Sequence, residues 1–339
     1  MKAQAKTLKC ENRTKLEEAI PLKIPFRIFI DPSDVCNFKC KFCPTGDREL
    51  MKKTPGRKFG LMDFSLYKKI INDICDFKEP IRLLLLYKDG EPLLNPHFAD
   101  MVKYAKDKGC AQKIGTATNG TLLSYKKNLE IIKAGLDRIT ISIEGINKEQ
   151  YKYFSGVSVN IDNMVDNIRH FYENRGNCEM YVKINGDILS IEERNKFYEI
   201  FGNIADKIFI ESISPCWPEF ELREVKVNRQ MNMYGEKIKE VLVCPFVFYS
   251  FAINSDGTAS LCHGDWSRKL VIGDVKCNTV KEIWNSKKLF EYQKMFLMKK
   301  RKNHPVCGNC GLVTHTQLDD IDIYSEKILI NLMIRKGGL

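Results

Sequence analysis

From Phe26 onward, short apolar runs alternate with longer segments in which apolar residues recur every three to four positions. The short runs are FRIFID (26–31), IRLLLL (81–86), KIGTAT (113–118), RITISI (138–143), EMYVKI (179–184) and KIFIES (207–212). Their aliphatic and β-branched content predicts strands. Between them, DFSLYKKIINDICDF, NPHFADMVKYAKDKG, SYKKNLEIIKAG, NIDNMVDNIRHFYENRG and IEERNKFYEIFGN carry helical periodicity. Strands that alternate regularly with helices are joined by crossovers and run parallel.

Such units either close partly into a barrel or lie open as a doubly wound sheet. The strands favour the barrel. In RITISIEG, Ile139, Ile141 and Ile143 fall on one face and Thr140, Ser142 and Glu144 on the other; in YVKIN, Lys183 and Asn185 oppose Val182 and Ile184. A sheet covered by helices on both faces reads as uniformly apolar, whereas one polar face fits a barrel interior that holds a ligand. The expected fold is therefore α/β, a partial (β/α)6 TIM-like barrel over 26–235 preceded by an extension over 1–25.

After Ile213 the rhythm stops. A charged loop-like stretch leads to FVFYSFAINSDGTASLC, a hairpin pattern with its turn at Asp256-Gly257, and then to a helix expected over 280–300. Residues 236–325 form a small cysteine-rich domain in this reading, and the tail, 326–339, a terminal helix that packs on the body.

The composition, 44% hydrophobic and 29% charged in 339 residues, fits a soluble globular chain. No apolar run reaches the roughly 18 residues of a membrane span, and the N-terminus lacks an apolar signal core; the expected location is the cytoplasm. A net charge of +11 suits either an anionic partner or simply a solvated basic surface. Thirteen cysteines in a reducing compartment point away from a disulfide framework and towards metal. Seven of them cluster as Cys36/Cys40/Cys43 and Cys244/Cys262/Cys307/Cys310, while Cys10, Cys75, Cys110, Cys178, Cys216 and Cys277 are scattered.

Cys36, Cys40 and Cys43 (DVCNFKCKFCPT) follow the first strand, at the end of the barrel where chemistry is placed. Three thiolates can hold three irons of a [4Fe–4S] cluster and leave one open to a small molecule; a zinc site completed by a distant residue is the alternative. CNFKCKFC in this position resembles the signature of the radical S-adenosylmethionine (radical SAM) superfamily, with Phe42 as the aromatic residue before the last cysteine. The resemblance implies that SAM chelates the open iron and is cleaved to a 5′-deoxyadenosyl radical that removes a hydrogen atom from substrate. Asp89-Gly90-Glu91-Pro92 resembles the family's Gly-Gly-Glu-Pro motif at the SAM amino group, with Asp89 in place of the first glycine. That implies cofactor contacts from Gly90, Glu91 and Pro92. TATNG (116–120) and ISIEG (141–145) resemble the next two strand ends, which would put Asn119 and Ser142 near SAM. Ser155-Gly156 stands where many relatives carry Arg-Gly, so the group gripping the SAM carboxylate is unassigned; Lys183 is the candidate by position.

From spacing alone, Cys244, Cys262, Cys307 and Cys310 suit zinc or an iron–sulfur cluster equally. Beside a radical SAM core they resemble the shortened, or twitch, form of the SPASM domain. This implies one auxiliary [4Fe–4S] cluster with no open position, hence two clusters in all. Single-cluster relatives include the 2-deoxy-scyllo-inosamine dehydrogenase type and epimerases of sugars and cyclitols. The expected function is thus a radical SAM oxidoreductase or epimerase, dehydrogenating or epimerising an anionic or sugar-like small molecule. Its cluster would be reduced by a flavodoxin or ferredoxin-type protein; nucleic acid is not an expected partner. Cys216, in the loop after the sixth strand, is the candidate hydrogen donor, against the reading of a loop thiol with no role. Lys88 and Tyr87 are candidates to face substrate, and His263, Asp265 and Trp266 to shape the pocket. A maturase of ribosomally made peptides is the second reading, weakened because no peptide-clamping domain precedes Phe26. A zinc-binding interaction protein is the third.

Overall fold

The computed structural model describes residues 2–5, 13–187, 189–222, 229–316, 319–335 and 337; Cys10 and part of the N-terminal extension lie outside them. Six strands follow one another across a sheet in chain order: β2 (Arg27–Ile30), β3 (Ile81–Leu86), β4 (Ala111–Thr118), β5 (Arg138–Ile143), β6 (Glu179–Asn185) and β7 (Lys207–Glu211). Each is parallel to the next. A short strand β1 (Gln4–Ala5) lies parallel to β7 and ends the sheet on that side. The α/β partial barrel read from the alternation is the observed architecture.

The local chemistry explains the elements. Asp63 starts the helix Phe64–Cys75 by accepting from the amides of Ser65 and Leu66, and Ser190 with Glu193 forms a reciprocal capping box on Ile191–Phe201. On β5, Ile139, Ile141 and Ile143 are buried in the main core, while Ser142 and Glu144 line a cavity at the strand end. On β6, Val182 and Ile184 are likewise core residues, and Lys183 and Asn185 line that cavity. Buried aliphatic residues between sheet and helices supply the main driving force.

Beyond residue 249 the chain rejoins the sheet. β8 (Ser250–Ile253) runs parallel to β2, residue for residue from Arg27↔Ser250 to Ile30↔Ile253. It then turns through Asp256-Gly257 into the antiparallel β9 (Thr258–Ser260), followed by β10 (Val271–Asp274). The hairpin is present, but its first strand also extends the barrel sheet, giving ten strands in one sheet among the described residues. The single helix expected over 280–300 is two, Val280–Trp284 and Lys287–Leu297. Ser286 breaks it by capping the second helix through the Leu289 amide, a local competition that favours Ser at helix starts. The terminal helix Ser325–Arg335 packs on Lys287–Leu297 and buries Ile328 and Leu332. No helix among the described residues is long and apolar enough to cross a membrane.

Candidate active site

The cysteine loop after β2 is stitched down on several sides. The Lys39 and Lys41 amides donate to the carbonyls of Ser155 and Phe154, at 2.8 and 3.0 Å. Asp34 accepts from the Gly60 amide at 2.8 Å, and Asn37 donates to Thr121 Oγ1 at 2.9 Å. Gly46 closes the loop, and a Cβ there would sit 2.3 Å from the Cys40 carbonyl oxygen. Ser155 turns its hydroxyl back to the Tyr151 carbonyl and is fully buried. Its contribution to the site is therefore the backbone that holds Lys39, not a side-chain grip.

The thiols of this loop border open spaces: Cys40 and Cys43 line one pocket, and Cys36 lines another with Arg48, Lys52 and Phe59. Cys244, Cys262, Cys307 and Cys310 instead line one enclosed, mainly apolar cavity together with Phe246, Leu261 and Phe296. Among the described residues no three ligand-type side chains converge on a single-ion site. Both thiol sets do fit iron–sulfur ligation in their donors: the Phe38 amide points at Cys36 Sγ (3.4 Å) and the Gly264 amide at Cys262 Sγ (3.3 Å), contacts that stabilise cluster sulfurs. Burial raises all seven thiols, Cys36 and Cys244 up to about 12. Their conversion to thiolates requires a cationic centre that displaces the protons.

In the loop after β3, Glu91 has a role in the scaffold as well. Glu91 is 2% exposed, and its carboxylate accepts from Thr118 Oγ1 (2.6 Å), the Asn119 amide (2.8 Å) and the Leu93 amide (3.0 Å). Through these bonds the carboxylate joins the loops after β3 and β4. Burial raises this carboxyl in spite of the three donors. The Glu91 amide donates to the Val35 carbonyl (2.9 Å), and a Cβ on Gly90 would meet the Ser33 and Val35 carbonyl oxygens at 2.2 and 2.3 Å. Only glycine lets these two loops touch. Pro92 begins the short turn that follows. Asn119 donates to Asn37 Oδ1 (2.8 Å) and accepts from Thr121, so it too braces the cysteine loop.

Phe42, Ser142, Glu144, Lys183, Asn185, Glu211, Cys216, Trp217 and Thr316 surround one cavity of ≈ 230 Å³ at the C-terminal ends of β5 to β7. Lys183 pairs closely with Glu211, so a carboxylate gripped by Lys183 would compete with that partner. Glu211 Oε2 and Asn185 Nδ2 are buried without a hydrogen-bond partner. Burial pushes Glu144 up to about 7, against the pull of Lys183. Cys216 lies on the cavity wall, in a loop so close to the segment after Cys310 that a Cβ on Gly311 would be 2.0 Å from the Pro215 carbonyl oxygen. Burial raises its thiol to about 12.

Lys88 does not join this cavity. Its side chain is completely buried and its ammonium donates to Asp89 Oδ2 (2.8 Å) and the Asp265 carbonyl (3.0 Å), a correction that follows from the carboxylates around it. Tyr87 meets Phe29 edge-on, and His263 stacks on Phe29 at 4.5 Å; burial lowers the imidazole to about 3, so it is neutral. Asp265 accepts from Ser260 Oγ and the Lys269 and Leu270 amides, and Trp266 donates to the Pro218 carbonyl; both shape the chain rather than the cavity. Glu211, Trp217 and Thr316 were not singled out by the sequence. For Glu211 the strand alternation of KIFIES carried the signal; for Thr316, beyond the last cysteine, there was none.

A sequence profile of the Radical SAM superfamily matches residues 30–201. The chain belongs to the radical SAM superfamily. A second profile, an iron–sulfur cluster-binding domain named SPASM, matches 244–311. This radical SAM protein is 31% identical over 117 residues to the tungsten-containing aldehyde ferredoxin oxidoreductase cofactor-modifying protein of Pyrococcus furiosus, covering 34% of this chain and 30% of that one. It is 31% identical over 215 residues to a probable GTP 3′,8-cyclase of Saccharolobus islandicus, covering 60% and 62%. The chain spans well under half the length of the first two curated relatives it matches, 30% and 32%. Among solved structures it resembles BtrN in complex with AdoMet and 2-DOIA, with a TM-score of 0.58 at 16% identity over 87% of this chain and 96% of that one. It also resembles Streptococcus suis SuiB bound to the precursor peptide SuiA, with 0.60 at 15% identity over 81% and 68%. At these identities the structures establish the shared fold. A radical SAM enzyme with a SPASM domain, binding SAM and iron–sulfur clusters, is what the profiles support.

Proposed function

We propose that this radical SAM enzyme acts on a carbinol carbon of a compact polyhydroxylated molecule, of the carbohydrate or cyclitol type, and inverts that centre. The observation that carries the reading is the place of Cys216, on the wall of the same cavity as Phe42, Ser142, Lys183 and Glu211. Cys36, Cys40 and Cys43 would hold the SAM-binding cluster, and Cys244, Cys262, Cys307 and Cys310 a second one. With SAM bound, one-electron reductive cleavage there would release methionine and supply the 5′-deoxyadenosyl radical that takes the substrate hydrogen atom. The Cys216 thiol then gives its hydrogen atom to the opposite face of the substrate radical. The resulting thiyl would be restored by one proton from solvent and one electron, which a second cluster held by Cys244, Cys262, Cys307 and Cys310 could supply once reduced by the same external donor as the first. Within the cavity, the free acceptor on Glu211 and the free donor on Asn185 suit hydroxyl groups. A flavodoxin or ferredoxin-type protein would reduce the first cluster.

Dehydrogenation is the second reading, favoured by the same unpartnered Glu211 oxygen, which can accept the hydroxyl proton; an auxiliary cluster held by the second cysteine set would be the acceptor of the radical's electron. Turnover of sugar and cyclitol candidates in deuterated water separates the two. Inversion with one solvent deuterium at the reacting carbon, lost in Cys216→Ala while 5′-deoxyadenosine still forms, supports the proposal. A carbonyl product without deuterium supports dehydrogenation. Modification of a peptide, or an inverted product whose deuterium persists in Cys216→Ala, overturns the proposal.

A further inference from the structure

Five charged side chains from four separate segments meet out of contact with solvent: Asp34, Arg57, Lys88, Asp89 and Arg268, each with a side-chain exposure of 2% or less. Their hub is Asp89 Oδ2. It lies 2.7 Å from Arg268 Nη1, 2.8 Å from Lys88 Nζ and 3.3 Å from Arg57 Nη1. Asp34 closes the group at 3.6 Å from Arg57 and 3.7 Å from Arg268. The same cations hold the backbone that follows Cys262. Lys88 and Arg268 donate to the Asp265 carbonyl at 3.0 and 3.4 Å, and Arg57 to the Trp266 carbonyl.

The two ends of this network have different jobs. Asp34 lies two residues before Cys36, and Asp265 to Arg268 follow Cys262 within one short stretch. Asp89 sits between them, at the position where the motif it belongs to otherwise reads glycine, a residue with no side chain to offer. Buried cations this close together repel one another unless a carboxylate lies among them, and Asp89 is the member that contacts three.

We propose that Asp89 is a positioning residue that fastens the Cys262 segment to the Cys36 loop and so sets the separation of the two cysteine-lined sites. Electron exchange between two metal centres falls steeply with distance, so a fastening of this kind governs how readily they communicate. The proposal concerns the scaffold between the sites and stands whichever substrate the cavity takes.

The test is local amide hydrogen exchange on the metal-free full chain, comparing Asp89→Asn, which keeps the shape and removes the charge, with Asp89→Glu. Asp89→Asn is expected to raise exchange over residues 261–274 roughly tenfold and to leave the helix Phe98–Lys108 unchanged, with Asp89→Glu returning most of the protection. Arg268→Gln removes the one side chain of the Cys262 segment that pairs with Asp89, and is expected to give the same local increase should Asp89→Asn fold poorly. In the reconstituted, reduced protein, pulsed electron paramagnetic resonance reads the spin–spin interaction between the two sites, which is expected to weaken and broaden in Asp89→Asn and to recover in Asp89→Glu. Unchanged exchange and unchanged spin–spin interaction overturn the proposal. So does a uniform rise in exchange across the chain that Asp89→Glu fails to reverse.

Discussion

Replacing Glu91 by Gln separates two roles that the motif allows. In the structure the carboxylate pins the loops after β3 and β4, with the Leu93 amide and Thr118 hydroxyl on Oε1 and the Asn119 amide on Oε2. An amide has one oxygen and one NH2 group, so whichever way it turns, one backbone N–H faces another donor. Losing one hydrogen bond to a charged acceptor costs about 1.5–3 kcal/mol. The neutral amide recovers part of this, because burial disfavours the Glu91 anion. The net expectation is a destabilisation of about 1–3 kcal/mol, read from urea denaturation of the metal-free protein. Thr118→Val removes a single partner and should cost less, and the double variant should cost less than the sum of the two. SAM is absent from that assay, so the loss would come from the scaffold alone. A Glu91→Gln protein within about 0.5 kcal/mol of the wild type, with its defect confined to SAM affinity, would refute the reasoning.

Asp31 is fully buried, both its oxygens lack a hydrogen-bond partner, and burial together with Asp89 pushes it up to about 8 against the pull of Lys88 and Arg268, with Asp34 adding to the rise. The folded chain therefore keeps a proton that the unfolded chain releases near its ordinary value of 3.8, so this residue makes stability fall as pH rises from about 4 to 8. Asp31→Asn mimics the protonated form and should gain roughly 1–3 kcal/mol at pH 8 while flattening that slope; denaturation at pH 5 and pH 8 checks it, and an unchanged slope counts against it. Gly46→Ala places a methyl 2.3 Å from the Cys40 carbonyl oxygen and 2.7 Å from its amide nitrogen. Opening the loop should cost about 1–3 kcal/mol and reduce iron loading at the first cysteine set with no change at the second, as seen by iron analysis and the resonance of each site.

Much of the fold was legible because its signals are local. The six parallel strands follow from apolar runs at regular spacing, and the polar cavity face from single alternations such as Ile141-Ser142-Ile143 and Val182-Lys183-Ile184. The joining of β8 to β2 was not legible, since FRIFID and SFAI carry no mark of pairing across more than 200 residues. The site divides in the same way. Cysteine spacing picks out both thiol sets, and the loop position of Cys216 suggested the cavity wall on which it lies. Partners remote in the chain leave no local mark: Lys88 looks available in the sequence, yet Asp89 and the Asp265 carbonyl occupy it, and nothing near Glu91 announces Thr118 and Asn119. The burial of Arg57 and Arg268 depends on carboxylates far away in sequence, which no local pattern announces.

The account rests most heavily on one open three-thiol site and one closed four-thiol site within a single chain. Iron and acid-labile sulfide analysis after anaerobic reconstitution tests this directly, on the wild type and on two variants, Cys36→Ala/Cys40→Ala/Cys43→Ala and Cys244→Ala/Cys262→Ala. The expected result is about eight irons and eight sulfides per chain in the wild type and about four of each in either variant. About four irons in the wild type, unchanged by removing Cys244 and Cys262, or stoichiometric zinc without sulfide, would contradict it.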